Sequence, residues 1–232
     1  MNESLQPLLL ATATFVISHF VLSSLPVRRA IFGVIGESGF RILYTVVALF
    51  TLIWAAREFG AAPHVEVWGQ TEILRNIAAA IMPFACILAI AGVSTRNVTS
   101  VGGEELSPED AKAWGIVTVT RHPLMWGFAL WALAHIAPNG DGKSIIFFGG
   151  FVVLAIVGMF HIDYRRRETM GSDWGPIALT TSAIPFRAYI QGRTEIDWKG
   201  IGIARLVMGI GLYTLLLMGH EWAFGVSAMP AG

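Results

Sequence analysis

The chain has 232 residues, of which 54% are hydrophobic and only 14% carry a charged side chain. A soluble domain carries roughly 25% charged residues, so this chain lacks the polar surface that a soluble protein needs. Its 16 basic residues balance its 16 acidic residues, which leaves no net field to attract nucleic acid. The single cysteine, Cys86, excludes an internal disulfide and a thiolate zinc cluster. The composition therefore excludes the soluble, secreted and disordered classes and favours a polytopic membrane protein.

Six runs of apolar residues approach the length of about 20 that a transmembrane helix needs. The predicted spans cover residues 5–25, 39–56, 73–93, 122–137, 144–161 and 200–221. The fourth is short for a span, and the third contains Pro83, which neighbouring helices can accommodate. No internal repeat and no separate soluble segment is visible. We therefore predict an all-α, polytopic membrane helical bundle of about six transmembrane helices, in one domain over residues 1–232.

Basic residues are unevenly distributed between the connecting segments. If the N-terminus faces away from the cytoplasm, twelve basic residues fall in cytoplasmic segments and three in outer segments. Cytoplasmic segments are enriched in Lys and Arg, so both termini are predicted to lie on the outer, periplasmic side. The basic pair Arg28-Arg29 follows the first apolar run instead of preceding it. That order is the reverse of a signal peptide, so the first run is interpreted as a helix of the mature protein.

Histidines within the apolar runs are the first candidates for function, because ionisable side chains are costly inside a span. His19 lies in the first span, His135 in the fourth, and His220 at the end of the sixth. Neutral imidazole is a common metal ligand, and zinc would need three or four ligands that these spans do not offer. His19 and His135 on different helices suit the axial pair of a haem. The alternative is two neutral histidines that only hydrogen-bond within the bundle. Their predicted depths differ by roughly 10 Å at 1.5 Å per residue, which helix tilt or uneven helix ends would have to absorb.

A second candidate is the start of the fourth span, where Thr120 is predicted to cap the helix and Pro123 to occupy its first turn. Helix starts attract anions. Arg121 and His122 are therefore candidate ligands for a haem propionate, a phosphate or a lipid head group. The alternative is an interface anchor, with Arg121 and Trp126 at the level of the head groups.

The longest loop is predicted to run from residue 163 to residue 199. It begins with Asp163 and the arginines 165–167, which fit the excess of positive charge in cytoplasmic loops and contact with anionic lipid. Further along this loop, Trp174 and Pro176 indicate an amphipathic segment that lies on the membrane surface. Cys86 in the third span is interpreted as a small buried hydrophobe.

Four sequence blocks, in chain order, resemble the NnrU family and its plant and cyanobacterial relatives, the 15-cis-ζ-carotene isomerases. The blocks cover residues 18–24, 36–43, 120–140 and 171–193. The resemblance implies a haem b protein of the bacterial inner membrane, with His19 and His135 as the metal ligands. In the isomerase a cysteine three residues before the second histidine is thought to act as an alternative ligand, and Ala132 occupies that position here. This difference counts against the ligand switch of the isomerase. The NnrU branch implies a link to denitrification and nitric oxide metabolism.

Several functions remain open at this point. The leading one is a haem protein of nitric oxide or denitrification-type redox metabolism, and the second is an isomerase acting on an apolar polyene from the bilayer. The third is a non-catalytic assembly factor for a respiratory or denitrification complex. The fourth is an S-adenosylmethionine-dependent methyltransferase, because the sequence Arg121-His122-Pro123 and the later Glu168 resemble isoprenylcysteine-type membrane methyltransferases. Met125 departs from that pattern, in which tyrosine is usual. Beyond these, the lipid bilayer is the expected partner, and nucleic acid is not.

Overall fold

The computed structural model describes residues 4–100, 103, 106 and 113–229. The described helices are α1 (Gln6–Ser23), α2 (Leu25–Ala61), α3 (Glu72–Ser94), α4 (Pro123–Asn139), α5 (Gly142–Met170), α6 (Trp174–Thr180), α7 (Arg187–Ile190), α8 (Trp198–Ile201) and α9 (Ile203–Phe224). Short 3₁₀ turns occupy Gly115–Thr118 and Gly171–Asp173. The prediction of an all-α membrane bundle is confirmed.

Five helical stretches in the described part of the chain are long and apolar enough to cross a membrane, namely α1, α2, α3, α5 with α6, and α9. Helix α4 has 17 residues, or about 26 Å at 1.5 Å per residue. That is slightly less than the roughly 30 Å of the hydrocarbon core. Helix α4 corresponds to the short fourth predicted span, and it packs between α3 and α5. The protein is therefore a multi-pass membrane bundle in which α4 lies among the longer helices.

The long helices lie side by side in the order α2, α1, α5, α4, α3, α9. Helices α2 and α3 follow each other in the chain but are separated in this order, because the segment between them crosses the turn from α4 to α5. The N–H groups of Val67 and Trp68 donate to the Gly140 carbonyl at 2.8 and 3.0 Å. The Trp68 indole N–H donates to the Ala137 carbonyl at 2.9 Å. We call this end of the bundle the Gly140 end, and the opposite end, where α4 begins, the Arg121 end.

The turn between α4 and α5 depends on Gly140. Its φ of 62° is a left-handed conformation that favours glycine, and a Cβ at this position would overlap the Trp68 carbonyl oxygen. Asp141 then caps α5, since its side chain accepts a hydrogen bond from the Ser144 N–H at 2.9 Å. The tight turn makes α4 and α5 antiparallel neighbours.

Helix α2 is interrupted at Gly36, whose φ of 71° and ψ of 176° are not helical. Two helical pieces result, over residues 25–35 and 37–61. The second piece contains the predicted span 39–56, and its first turn carries an exposed ion pair between Glu37 and Arg41 at 2.8 Å. The predicted span began close to this break because the glycines and charged residues around Gly36 interrupt the apolar run.

Small residues bring the remaining helices close together, as is common between membrane helices. A Cβ added at Gly127 on α4 would lie 3.0 Å from the Ala85 carbonyl oxygen of α3. A Cβ added at Gly209 on α9 would lie 2.6 Å from the Ile87 Cα of α3. Helix α3 continues through Pro83, as predicted.

Helix α5 continues to Met170, so the prediction that a loop begins at Asp163 is wrong. The run of charged side chains marks where the chain leaves the apolar layer, but a helix can extend beyond that point. After α5, Trp174 and Ile177 of α6 are buried in a small cluster with Val98. The segment that was expected to lie on the membrane surface thus packs on the Arg121 end of the bundle.

The contact between α9 and α3 can be tested with two glycines that lie two residues apart on α9. Gly209→Ala should lower the free energy of unfolding by about 1–3 kcal/mol, because the added methyl group meets the main chain of Ile87. Gly211→Ala is the matched control, since a Cβ there would meet nothing within 4 Å, and it should leave stability unchanged or slightly higher. Thermal unfolding of both variants in detergent measures the difference. Equal stability of the two variants would contradict this packing.

Candidate functional site

The three histidines in the apolar part of the bundle share one hydrogen-bonding pattern. In each ring, Nδ1 lies 2.7 Å from a main-chain carbonyl oxygen. The ring and carbonyl pairs are His19 with Phe15, His135 with Trp131, and His220 with Val226. A carbonyl oxygen only accepts hydrogen bonds, so Nδ1 carries the proton. Nε2 is therefore the ring nitrogen that can offer a lone pair to a metal.

His19 lies on α1 and faces α2. Its ring centroid is 4.5 Å from that of Phe15 and 5.4 Å from that of Tyr44. The next residue, Phe20, contacts His161 of α5 with 5.8 Å between the ring centroids. His19 therefore lies on the α1–α2 side of the bundle, towards the Arg121 end.

His135 lies on α4, near the Gly140 end. Its ring stacks on Phe148 of α5 with a centroid distance of 4.8 Å and an interplanar angle of 26°. The ring of Trp131 lies 5.0 Å away. The ring of His220 from α9 lies 6.3 Å away at an angle of 32°. His220 in turn contacts Phe224 at 4.9 Å.

The structure does not bring His19 and His135 together. Phe20, which follows His19, contacts His161, whereas His135 stacks on Phe148. The ring of Phe15, which contacts His19, lies 5.2 Å from that of Phe151 on α5, and the Phe151 ring lies 5.2 Å from that of Trp131, the neighbour of His135. Two axial ligands of one haem iron must each lie within about 2 Å of it. The rings of Phe15, Phe151 and Trp131 thus connect His19 to His135, whereas the rings of His135 and His220 are direct neighbours.

Arg121 and His122 lie at the opposite end, where both are buried against Asp163 of α5. The Arg121 guanidinium donates to both carboxylate oxygens of Asp163, at 3.1 and 2.6 Å. His122 Nε2 lies 2.7 Å from one of the same oxygens. A further guanidinium N–H donates to the Thr181 hydroxyl at 2.8 Å, and the Trp174 ring lies 5.1 Å from the Arg121 Cζ. The positive charge of Arg121 is thus neutralised within the protein.

This pairing bears on the anion that was expected at the start of α4. His122, not Thr120, stands at the N-cap position of α4 and makes no side-chain cap. The Thr120 hydroxyl donates to the Ala183 carbonyl at 2.9 Å. The Trp126 indole N–H donates to the same carbonyl at 2.7 Å instead of reaching lipid head groups. Arg121 and His122 therefore bind α5 to the start of α4, at the end of the bundle away from His135.

A family model described as NnrU protein matches residues 7–228. The chain belongs to the NnrU family.

Two curated relatives are each named 15-cis-zeta-carotene isomerase, chloroplastic. The protein from Zea mays is 25% identical over 196 residues, which cover 82% of this chain and 52% of the relative. The protein from Arabidopsis thaliana is 27% identical over 192 residues, which cover 80% of this chain and 51% of the relative. The NnrU chain thus spans about half the length of the curated relatives it matches. No solved structure matches it significantly.

Two of the sequence blocks that resemble the family form one structural unit in this NnrU protein. The Arg121 N–H donates to the Ser182 carbonyl, and the Phe186 N–H donates to the Val119 carbonyl, each at 2.8 Å. The start of the block over residues 120–140 is therefore hydrogen-bonded to the main chain of the block over residues 171–193.

Asp197 lies in the segment before α9 and stabilises the same end of the bundle. Its carboxylate accepts hydrogen bonds from the Gly115 N–H at 2.9 Å and the Gly200 N–H at 2.8 Å. These two main-chain donors hold the pKa of Asp197 below its usual range. The stability that the Asp197 carboxylate contributes is therefore fully present above its unfolded pKa of about 4. It is lost as the pH falls through the lower pKa of Asp197 in the folded protein.

Asp163 is the main site residue that sequence reasoning missed, although a signal for it was present. The fourth and fifth predicted spans are joined by a short connection, so they must be antiparallel. A residue just before one span and a residue just after the other then lie at the same end. Arg121 and Asp163 hold those positions and have opposite charges, which predicts an ion pair between them.

The pairing at the Arg121 end is tested by Asp163→Asn, which leaves the buried Arg121 charge without a counter-ion. Breaking a buried pair by removing one partner is strongly destabilising, so the free energy of unfolding should fall by about 3 kcal/mol. Thermal unfolding in detergent measures this change. Glu37→Gln removes a carboxylate from an exposed pair and should cost less than about 1 kcal/mol. Similar small effects of both variants would contradict the role assigned to Asp163.

Proposed function

We propose that this NnrU protein binds haem b within the membrane and serves redox metabolism of the nitric oxide or denitrification type. The observation that carries the proposal is the state of the intramembrane histidines. Each donates its Nδ1 proton to a carbonyl, which leaves Nε2 as the ring nitrogen that can bind a metal. Imidazole is a usual axial ligand of haem iron. When bound, the haem would supply a redox-active iron.

The ligand inventory of the chain favours haem over a bare metal ion. Among the described residues, no group of three or more His, Cys, Asp or Glu side chains could hold a metal ion. Zinc sites need three or four protein ligands. A haem needs only one or two, because the porphyrin supplies four nitrogen ligands. The single cysteine, Cys86, is buried in α3 and is not on the same helix as any of the three histidines.

A second candidate function, cis–trans isomerisation of an apolar polyene, is favoured by the names of the two curated relatives. The exposed faces of the bundle are rich in large apolar side chains, including Phe50 on α2 and Trp222 on α9. Such faces would meet a long apolar substrate in the bilayer. Ala132, which is fully buried, carries no thiol for the ligand switch that the resemblance attributes to the isomerase. A carotenoid turnover assay with the purified protein distinguishes the two functions.

The proposal is tested by the absorption spectrum of the detergent-purified protein, oxidised and then reduced with dithionite, together with a pyridine haemochrome assay. We expect a Soret band, sharp low-spin bands on reduction, and about one haem per chain. The protein should be expressed with haem supplied, so that cofactor shortage does not limit loading. A membrane protein purified in the same way from the same host, without intramembrane histidines, is the control for adventitious haem.

A colourless protein under these conditions would contradict the haem proposal. The two remaining functions, an assembly factor and a methyltransferase, then predict different results. An assembly factor should copurify with a respiratory or denitrification complex. A methyltransferase should bind S-adenosylmethionine and lose that binding on Glu168→Ala, without dependence on His19.

A further inference from the structure

We propose that residues 179–190, at the Arg121 end of the bundle, form a rigid anchor that inserts into the interface of one membrane leaflet and favours anionic lipid. The anchor comprises the end of α6, the turn that follows it, and the short helix α7. Its partner is the phospholipid at the level of the head groups, in addition to the hydrocarbon around the long helices. The inference does not depend on haem or on any catalytic activity.

Large apolar side chains are exposed along the anchor. Leu179 is 67% exposed and Ile190 is 78% exposed. Phe186, Tyr189 and Ile184 are also about half exposed. Because Phe186, Tyr189 and Ile190 follow helical spacing, they share one face of the α7 turn. An exposed apolar patch of this kind indicates a surface that contacts a membrane or another protein.

The main chain at Phe186 is held in an unfavourable conformation that leaves its ring exposed. Its φ is 61°, and no other residue except glycine has a positive φ in the part of the chain that the structure describes. Such a conformation is strained and persists only where the surrounding structure fixes it. Here the Phe186 N–H donates to the Val119 carbonyl at 2.8 Å, and Ala188 in the same turn is fully buried. The turn is thus fixed to the bundle through its main chain and a small residue, and its large side chains remain outside.

The depth of the anchor follows from its hydrogen bonds to the start of α4. The Ala183 carbonyl accepts from the Thr120 hydroxyl at 2.9 Å and from the Trp126 indole at 2.7 Å. The Ser182 carbonyl accepts from the Arg121 N–H at 2.8 Å. Helix α4 is about 26 Å long, which does not exceed the roughly 30 Å of the hydrocarbon core. Its first turn therefore lies at the edge of the apolar layer, and so does the segment bonded to that turn.

Main-chain carbonyls of the anchor find partners within the protein, as this depth requires. The Arg193 guanidinium caps the end of α6, where helix carbonyls lack intrahelical partners. It donates to three carbonyls there, those of Ala178, Leu179 and Thr181. The Ile190 N–H donates to the Phe186 carbonyl at 2.9 Å and closes α7. These bonds allow an irregular segment to lie next to hydrocarbon.

The charges of this region favour an anionic leaflet. Residues 174–194 contain Arg187 and Arg193 but no acidic residue. Arg187 is exposed, and within the described part of the chain no carboxylate forms an ion pair with it. Basic side chains beside an apolar face are typical of segments that bind the interface of anionic bilayers. The patch is also continuous in depth with the lipid-facing bundle, which favours the bilayer over a soluble partner.

The test measures the depth of nitroxide labels on the full chain, reconstituted in vesicles of phosphatidylcholine and phosphatidylglycerol. Three variants each carry one added cysteine. Ile190→Cys reports on the anchor, and Leu215→Cys on α9, which is 68% exposed, is the reference in hydrocarbon. Glu195→Cys is the matched control, because Glu195 is exposed in the same connecting segment but is polar. Cys86 is buried, and labelling of the wild type measures its contribution.

Depth is read as the accessibility of the label to oxygen divided by its accessibility to a water-soluble nickel complex. This ratio should be at least about three-fold higher for Ile190→Cys than for Glu195→Cys. It should stay below the ratio for Leu215→Cys, because interfacial segments reach only about 5–10 Å into the boundary between head groups and acyl chains. In vesicles of phosphatidylcholine alone, the ratio for Ile190→Cys should fall towards that for Glu195→Cys. Adding Arg187→Gln should produce a similar fall in the mixed vesicles.

Equal ratios for Ile190→Cys and Glu195→Cys in the mixed vesicles would overturn the anchor. Low accessibility of the Ile190→Cys label to both reagents would also overturn it, because a second copy or another protein would then cover the patch. An unchanged ratio without phosphatidylglycerol would overturn the assignment to anionic lipid. Thermal unfolding checks that each labelled variant keeps its fold. Leu179→Cys is the second reporter on the same patch if Ile190→Cys lowers the unfolding temperature.

Discussion

A carboxylate that pairs with one charged side chain and contacts a neighbouring histidine sets the geometry of the Arg121 end. Asp163 accepts from the guanidinium of Arg121 through both of its oxygens and also contacts His122. A charged group near hydrocarbon is costly unless it is paired, so the start of α4 must remain beside the last turns of α5. Because Arg121 also donates to Thr181, the same pairing binds the segment after α6. The orientation of α4 within the bundle follows from these contacts.

The opposite end is determined by close main-chain contact instead of charge. Gly140 adopts a left-handed conformation, and its carbonyl accepts hydrogen bonds from Val67 and Trp68. The segment between α2 and α3 therefore crosses over the turn between α4 and α5. This crossing puts α1 next to α5 and places α4 between α5 and α3. It also brings the end of α4 towards the end of α9, where His135 and His220 meet.

The three intramembrane histidines show that local chemistry does not define a ligand pair. All three have the same tautomer, fixed by a carbonyl partner at 2.7 Å, and this hydrogen bond gives no reason to prefer one over another. Their neighbours differ, since His19 contacts Tyr44 on α2 whereas His135 contacts His220 on α9. A metal that needs two ligands is sensitive to this difference, because ligand distances vary by only a few tenths of an ångström. The depth offset between His19 and His135 was visible in the sequence, and the rings of Phe15, Phe151 and Trp131 connect the two histidines in the bundle.

The sequence by itself determined the class of protein and the position of nearly every long helix. Apolar runs and their boundaries depend on the cost of burying polar groups in lipid, which is a property of each segment on its own. The spans ending near Ser23, Ser94 and Asn139 were therefore located to within a few residues. The capping of α5 by Asp141 and the break at Gly36 depend on backbone conformations that hydropathy does not describe. Only the tertiary structure decided which helices are neighbours, which carboxylate pairs with Arg121, and which histidine faces His135. Those contacts join residues 42 to 85 positions apart, and their geometry depends on the order of helices in the bundle, which no single segment contains.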